Sequence, residues 1–139
     1  MRLIPNTTLL IFGFAPGSAV DEGILRVGRK VHQRGLNTEV EANGEIASGA
    51  VDLFMAGAQR SLGANALVGV HSWSDGNRDA TDFPMNSSEH QFYIDYYKAI
   101  GFSDQWASDF YFFTINAASA DDIHWMTASE IEQYGIATN

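Results

Sequence analysis

Two residues of this sequence have the chemical types and the settings that nucleophilic catalysis requires. That chemistry needs an activated hydroxyl, a base that takes its proton, and N–H donors directed at the developing oxyanion. Ser48 follows a turn signal and begins a predicted helix, so the free amide of Gly49 can point at a substrate oxygen. A serine in this setting more commonly serves only as the N-cap of its helix. Ser48 by itself is therefore weak evidence for catalysis.

His71 is the residue that could serve as the base. It follows an apolar segment, residues 66–70, that predicts a buried strand, and the carboxyl ends of parallel strands are where active sites collect. The alternative is a hydrogen-bonded structural histidine. The order of the features is a turn, Ser48, a helix and then an apolar strand that ends at His71. This order favours the interpretation that Ser48 is a nucleophile and His71 is its general base.

Composition and charge narrow the class of protein. The chain has 139 residues, enough for one hydrophobic core, so a single domain over residues 1–139 is predicted. With 8 basic against 17 acidic residues the net charge is −9, which argues against a nucleic-acid partner. The absence of cysteine excludes disulfides and cysteine nucleophiles. No apolar run approaches the roughly 20 residues of a membrane span, so a soluble protein of the cytoplasm or the periplasm is expected.

Other chemistries find little support in the sequence. A Gly-x-Ser-x-Gly elbow is absent around Ser48, because Ile46 and Ala50 occupy its two glycine positions. Three of the four histidines are scattered, and residues 121–124 (Asp-Asp-Ile-His) are the one local group of potential metal ligands. Such a run is more typical of a surface turn than of a metal site. Neither a metal nor a cofactor is therefore expected.

The elements that would position Ser48 and His71 alternate between strands and helices. Residues 9–14 form a continuous apolar run, which predicts a strand covered on both faces. A helix runs from Asp21 to a stop at Gly35, a short strand occupies residues 38–42, and Gly44 turns the chain. The further predicted elements are a helix over residues 48–56, a strand over 66–70, an irregular polar loop over 72–86, a helix from Ser88 to Ile100 with Phe92 and Tyr96 on its buried face, an aromatic helix after Ser103, and a helix with a capping box at Thr127 and Glu130. This alternation predicts an α/β domain with a mostly parallel sheet and flanking helices.

Four stretches of the chain resemble segments of the Clp protease proteolytic subunit family. Residues 44–57 resemble its nucleophile segment, a Gly-x-Ala-Ala-Ser-x-Gly-Ala pattern followed by an apolar helix, and residues 65–71 resemble its strand that ends in the catalytic histidine. Upstream, residues 15–20 resemble its Ser-Pro-Gly-Gly-Ser-Val turn, and downstream residues 125–136 resemble its Phe-Met-Ser-Ala-x-Glu-Ala and Tyr-Gly-Leu-Ile ending. The stretches follow the family's order and cover nearly the whole chain. Arg60, after the helix, also resembles an arginine of the small, divergent Clp-like proteins of bacterial envelopes.

The resemblance implies a ClpP/crotonase-like fold, a ββα superhelix that is N-terminally short here. It also implies a serine hydrolase that cleaves a peptide bond or a carboxylic ester. Ser48 would be the nucleophile and His71 the base, and the backbone amides of Gly49 and Ser18 would form the oxyanion hole. Small peptides or esters would be the substrates, and the chain would assemble with copies of itself into a trimer or a ring.

The acid of the implied triad lies near residue 122. The family's aspartate aligns with Ile123, and two aspartates precede that position. Asp122 is expected to orient His71, with Asp121 as the alternative.

Two other classes of function stay open. The chain could be a non-catalytic assembly or binding module that kept the fold. The serine at position 18 and the displaced acid favour that interpretation, whereas Ser48 and His71 together speak against it. A crotonase-type acyl-CoA enzyme would use the same paired amides without a Ser–His pair. The aromatic run over residues 110–113 is more typical of a core or a subunit interface, but in an acyl-transfer enzyme it could line an acyl pocket.

Overall fold

The computed structural model describes residues 8–16 and 21–139 of the chain, which form an α/β fold with a mixed, open sheet and flanking helices. The elements in chain order are β1 (Leu9–Ala15), α1 (Asp21–Gln33), β2 (Asn37–Ala47), α2 (Gly49–Met55), β3 (Arg60–Leu62), β4 (Leu67–Val70), a 3-10 turn (Ala80–Asp82), α3 (Ser88–Ala99), α4 (Asp104–Ala117), β5 (His124–Trp125) and α5 (Ala128–Gln133). The chain divides into two compact units, one made of residues up to Gly69 together with Met126–Asn139, and the other of Val70–Trp125. No helix within the described ranges is long and apolar enough to cross a membrane.

β2 is the central strand of the first unit. It pairs in parallel with β1, with β3 and with β4, and the order within the unit is β1-β2-β4, with β3 also beside β2. The register places Phe12 opposite Val40 and Ala47 opposite Gly69. The carboxyl ends of β2 and β4 therefore lie next to each other, at the kind of sheet edge where α/β folds place their sites.

The sheet as a whole is mixed, so the prediction of a mostly parallel sheet is wrong. The alternation of strand and helix holds only as far as β3, because β4 follows β3 without a helix between them. After β4 the chain forms two consecutive helices, α3 and α4, and then a fifth strand, β5, of two residues. A strand that is not reached through a strand–helix–strand crossover has no requirement to run parallel to its sheet.

β1 is largely exposed, contrary to the prediction of a strand covered on both faces. Leu9, Ile11 and Phe14 are 42, 58 and 72% exposed, whereas Phe12 is 8% exposed. β1 stands at the end of the strand order, with β2 as its neighbour. A continuous apolar run indicates a strand, but it does not show how completely the rest of the fold will cover it.

Gly44 lies in an irregular stretch inside β2, so the turn predicted there is wrong. The pairing skips from Val40 to Glu45 on β2 while β1 advances by two residues. A Cβ added to Gly44 would come 2.8 Å from the carbonyl oxygen of Gly13, so the residue is glycine because two backbones approach closely at this irregularity. β2 consequently continues past Gly44 and delivers Ser48 at its end.

α2 is the buried centre of the first unit. Six of its seven residues are buried, the exception being Asp52. The ring of Phe54 meets that of Phe12 edge to face, with centroids 6.2 Å apart. The carbonyl oxygen of Phe54 accepts a 2.7 Å hydrogen bond from the hydroxyl of Thr38, which is also buried. Because so short a helix is not stable alone, this packing determines its position.

Arg60 joins the C-terminal segment to the rest of the first unit. Its guanidinium donates to the carbonyl oxygens of Gly57 at 3.2 Å, Gly135 at 3.0 Å and Ile136 at 2.8 Å. Its backbone amide donates to the hydroxyl of Thr138 at 2.8 Å. Partial burial lowers the pKa of Arg60 from its ordinary value, yet an arginine side chain stays protonated in proteins and acts purely as a donor.

We expect Arg60→Ala to lower the free energy of unfolding by about 2 kcal/mol, because three carbonyl oxygens lose a charged donor. Urea denaturation followed by circular dichroism measures the change. Lys30→Ala, at an exposed position of α1, is the control and should change the stability by less than about 0.5 kcal/mol. Equal stability of the two variants would show that the hydrogen bonds of Arg60 make no net contribution.

The second unit is built on α3 and α4, which begin with the serine caps Ser87 and Ser103. Tyr96 and Ile100 are buried, as the helical pattern predicts, whereas Phe92 is 42% exposed and its predicted burial is wrong. His90 is 1% exposed and takes a place on the covered face of α3. A pattern based on apolar residues alone does not include a buried histidine. The buried face predicted for α3 therefore differs from the observed one.

Tyr111 is the centre of a buried chain of hydrogen bonds in the second unit. Trp73 Nε1 donates to the Tyr111 hydroxyl oxygen at 2.8 Å, and that oxygen lies 2.7 Å from Nδ1 of His90. His90 Nε2 lies 3.3 Å from the carbonyl oxygen of Phe83, which can only accept. These partners place the imidazole proton on Nε2, so that Nδ1 accepts from the Tyr111 hydroxyl. Burial raises the pKa of Tyr111 to about 12.

We expect Tyr111→Phe to lower the free energy of unfolding by about 2 kcal/mol, since Trp73 and His90 each lose a partner. The pKa of Tyr111 is about 12 in the folded chain and about 10 in an unfolded one, so unfolding releases this proton in the interval between them. The tyrosine's contribution is therefore complete below about pH 10 and falls as the pH rises toward 12. Urea denaturation of both proteins at about pH 8 and about pH 11 measures the difference. A difference that did not shrink at the higher pH would contradict this account.

Candidate active site

Ser48 lies at a strained elbow between a strand and a helix. β2 ends at Ala47 and α2 begins at Gly49, and between them Ser48 has φ 56° and ψ −124°. A positive φ is uncommon for a residue that carries a Cβ, and this ψ also lies outside the left-handed helical region. The conformation is one that glycine favours, and it persists in another residue only where the surroundings hold it.

Backbone hydrogen bonds on both sides hold the elbow. The Ser48 amide donates to the carbonyl oxygen of Gly69 in β4 at 3.2 Å, and the Ser48 carbonyl accepts from the amides of Val51 at 2.9 Å and Asp52 at 3.4 Å. Ser48 is thus tied to the sheet through its amide and to α2 through its carbonyl. Gly69 precedes His71 by two positions in the sequence.

The hydroxyl of Ser48 does not cap α2. Ser48 occupies the N-cap position, yet its side chain makes no capping hydrogen bond. The residue is half-buried. The most common structural role of a serine in this position is therefore not the one that Ser48 has.

Gly49 supplies the amide that would receive an oxyanion. It is the first residue of α2, and a helix offers no internal acceptor to its first amides. Ser18, the second predicted donor, lies outside the described residues. Of the two predicted donors, the structure therefore describes Gly49 alone.

His71 is oriented by the carbonyl group of the next residue. Its Nδ1 lies 2.7 Å from the carbonyl oxygen of Ser72, and because a carbonyl only accepts, Nδ1 carries the proton. Nε2 is then the basic nitrogen, which is the tautomer that a general base for serine requires. Ser72 is 1% exposed, its amide donates to Ala118 at 2.9 Å, and its hydroxyl accepts from the amide of Ala80 at 3.0 Å. The orienting group is therefore itself firmly held.

The two candidate acids are exposed to solvent. Asp122 accepts a 2.8 Å hydrogen bond from the amide of Ile123 through its own Oδ1, and Asp121 is exposed beside it. The Nδ1 partner that the structure gives to His71 is the carbonyl of Ser72. A carboxylate of Asp122 or Asp121 would have to take the place of that carbonyl to complete a triad, and this role stays a prediction for both residues.

Two features of the site were missed by sequence reasoning. The strain at Ser48 depends on how β2 passes into α2, and its one sequence signal is a serine between an apolar strand and a Gly-Ala start of a helix. The role of Ser72 has no sequence signal, because the group that acts is a backbone carbonyl, which every residue type carries.

Ser48 and Gly49 belong to the first unit, and His71, Asp121 and Asp122 belong to the second. Across the described parts of the chain, no three His, Asp or Glu side chains come together as a group able to hold a metal ion. The chain contains no cysteine that could complete one. Comparison of the chain with protein-family models, with curated proteins and with solved structures finds no match.

Proposed function

We propose that this chain is a serine hydrolase with a ClpP/crotonase-like fold, in which Ser48 attacks the carbonyl carbon of an ester or peptide and His71 is the general base. The observation that carries the proposal is the backbone of Ser48, with φ 56° and ψ −124°. Strain of this kind costs of order 1–3 kcal/mol and collects at functional sites. Glycine would adopt the same conformation at much lower cost, so the presence of a serine is explained if its hydroxyl is used.

Three further observations support the same assignment. The hydroxyl of Ser48 is not used to cap α2. The amide of Gly49 has no acceptor inside the helix, and Gly49 directly follows the residue whose hydroxyl oxygen would bond to the substrate. His71 has its proton on Nδ1, on the Ser72 carbonyl, so Nε2 is the nitrogen that can take a proton.

In the proposed reaction Oγ of Ser48 bonds to the substrate carbonyl carbon while its proton passes to Nε2 of His71. The carbonyl oxygen becomes an oxyanion, which the amide of Gly49 stabilises together with that of Ser18, as the family resemblance implies. Collapse of the intermediate expels the alcohol or amine, which takes the proton from His71 and leaves the acyl group on Ser48. Water then attacks the acyl-enzyme by the same route and releases the carboxylic acid.

A non-catalytic binding module is the second candidate, and one observation favours it. The group beside Nδ1 of His71 is a carbonyl dipole rather than a carboxylate. A dipole stabilises the imidazolium that forms in the reaction less strongly than a full negative charge does. A hydrolase with this arrangement would therefore be slow, and a chain that had lost catalysis would show the same feature.

Covalent labelling with a fluorophosphonate, read by intact mass, separates these candidates. We expect one adduct on the wild-type protein and none on Ser48→Ala or His71→Ala. Ser119→Ala removes an exposed serine of the second unit and is the control, which should label like the wild type. If the wild-type protein stays unlabelled while a folded serine hydrolase reacts under the same conditions, the binding-module interpretation replaces catalysis.

A further inference from the structure

A small pocket opens on the surface of the second unit, where the 3-10 turn, α3 and α4 meet. Its volume is about 170 Å³. Its lining includes Thr81, Phe83, Met85, His90, Phe112 and Asn116. An apolar cavity of about 150 Å³ is large enough to hold benzene, so this pocket admits a group of that size.

The wall of the pocket is aromatic, and its histidine has both nitrogens occupied. His90 is 1% exposed, and its ring binds the Tyr111 hydroxyl through Nδ1 and the Phe83 carbonyl through Nε2. The same ring stands roughly edge to face with Phe112 and with Phe83, at centroid distances of 5.3 and 6.4 Å. The imidazole therefore contributes ring surface to the pocket instead of a charge or an open hydrogen-bonding group. Such a wall favours a flat, uncharged, apolar occupant.

Polar groups lie at the mouth of the pocket. Thr81 and Asn116 are both exposed. Asn116 uses one amide hydrogen on the Phe112 carbonyl oxygen at 2.7 Å, so its second N–H and its carbonyl oxygen can bind a ligand. Met85, 76% exposed, adds a flexible apolar side chain at the same place. The occupant is therefore expected to carry an uncharged polar group next to its ring.

The pocket is built from the same loop that orients His71. The carbonyl of Ser72 holds Nδ1 of His71, and the hydroxyl of Ser72 accepts the amide of Ala80 at 3.0 Å, where the 3-10 turn begins. Trp73, the next residue, packs on Phe83 with ring centroids 5.2 Å apart. The residue that orients the proposed base and the residues that form the pocket wall are thus held by one set of contacts.

We propose that this pocket binds a small, uncharged aromatic ligand that carries a polar group next to its ring, such as an aromatic amide. The net charge of −9 further disfavours an anionic occupant.

Benzamide is the probe that tests this binding, and the Ser48→Ala protein excludes its turnover. In the Ser48→Ala protein we expect saturable NMR shifts at Phe112 and Ile115, which line the pocket. Asn116→Trp in the same background should fill the mouth and weaken binding by about tenfold or more. Gln105→Trp is the matched control, because it adds the same ring at an exposed position of α4, about 16 Å away along the helix axis. It should change Kd by less than about twofold. Absence of saturable shifts, or equal binding by Asn116→Trp, overturns the proposal.

Discussion

Ser48→Gly is expected to abolish hydrolysis and, at the same time, to give a more stable protein than Ser48→Ala. Both substitutions remove the hydroxyl, so kcat/KM for an ester should fall by at least about 10³-fold. They differ in the backbone, because alanine keeps the Cβ that makes φ 56° and ψ −124° costly. Relief of the strain stabilises the glycine variant by about 1–3 kcal/mol. Glycine also loses more chain entropy on folding, which costs about 0.5–1 kcal/mol. The glycine variant is therefore expected to have a free energy of unfolding about 1 kcal/mol higher than the alanine variant.

Urea denaturation and an ester assay on the same preparations measure both effects. Ser119→Gly and Ser119→Ala are the matched pair of control variants, because the φ of Ser119 is not positive. The non-glycine residues with positive φ in the described part of the chain are Asn43, Ser48 and Asn65. At position 119 glycine should be no more stable than alanine. If the Ser48→Ala variant still hydrolysed the ester, Ser48 would not be the nucleophile. If Ser48→Gly and Ser48→Ala were equally stable, backbone strain could no longer support the assignment of Ser48 as the nucleophile.

His71→Ala is expected to reduce kcat/KM as severely as loss of Ser48, whereas Asp122→Asn and Asp121→Asn should each leave it within about tenfold of the wild type. The reason is the hydrogen bond of 2.7 Å between Nδ1 of His71 and the carbonyl oxygen of Ser72, which already supplies the orienting acceptor. Loss of an aspartate that orients the histidine in a Ser-His-Asp triad costs about 10⁴-fold. The assay therefore clearly distinguishes whether the Ser72 carbonyl or an aspartate carboxylate orients His71.

Asn at position 122 can still accept the amide of Ile123 through its carbonyl oxygen, so the turn should keep its structure. Circular dichroism of each variant checks that the fold is retained. A drop of about 10⁴-fold for Asp122→Asn or for Asp121→Asn would identify that residue as the orienting acid. The Ser72 carbonyl would then hold His71 only in the free protein.

Signals that act within one turn of the chain predicted the structure well. Gly35 lies just after the end of α1 with φ 64°, and the capping box at Thr127 and Glu130 forms with both of its hydrogen bonds. Each of these depends on neighbouring residues alone, through a left-handed backbone or a side-chain oxygen that reaches a nearby amide. Local physics of this kind survives in almost any tertiary setting.

Signals that concern burial and pairing failed where several elements had to cooperate. The apolar run of β1 does not reveal that Ile11 will be 58% exposed, because exposure depends on which elements cover the strand. Gly44 has the local character of a turn, yet it marks a close approach to Gly13 on a strand more than thirty residues earlier in the chain. The direction of β5 was likewise not contained in the alternation of strands and helices.

For the candidate site, the sequence by itself determined the chemical types: a hydroxyl at Ser48 before a glycine amide, and an imidazole at His71 after an apolar strand. The tertiary structure alone decided what those groups can do. It holds Ser48 in a strained elbow through a hydrogen bond to Gly69, and it places the His71 proton on Nδ1 through a main-chain carbonyl. The chemistry of a side chain follows directly from the identity of the residue. Backbone strain and tautomer, however, are set by hydrogen bonds to main-chain groups, which are the same in every residue and therefore leave no mark on the sequence.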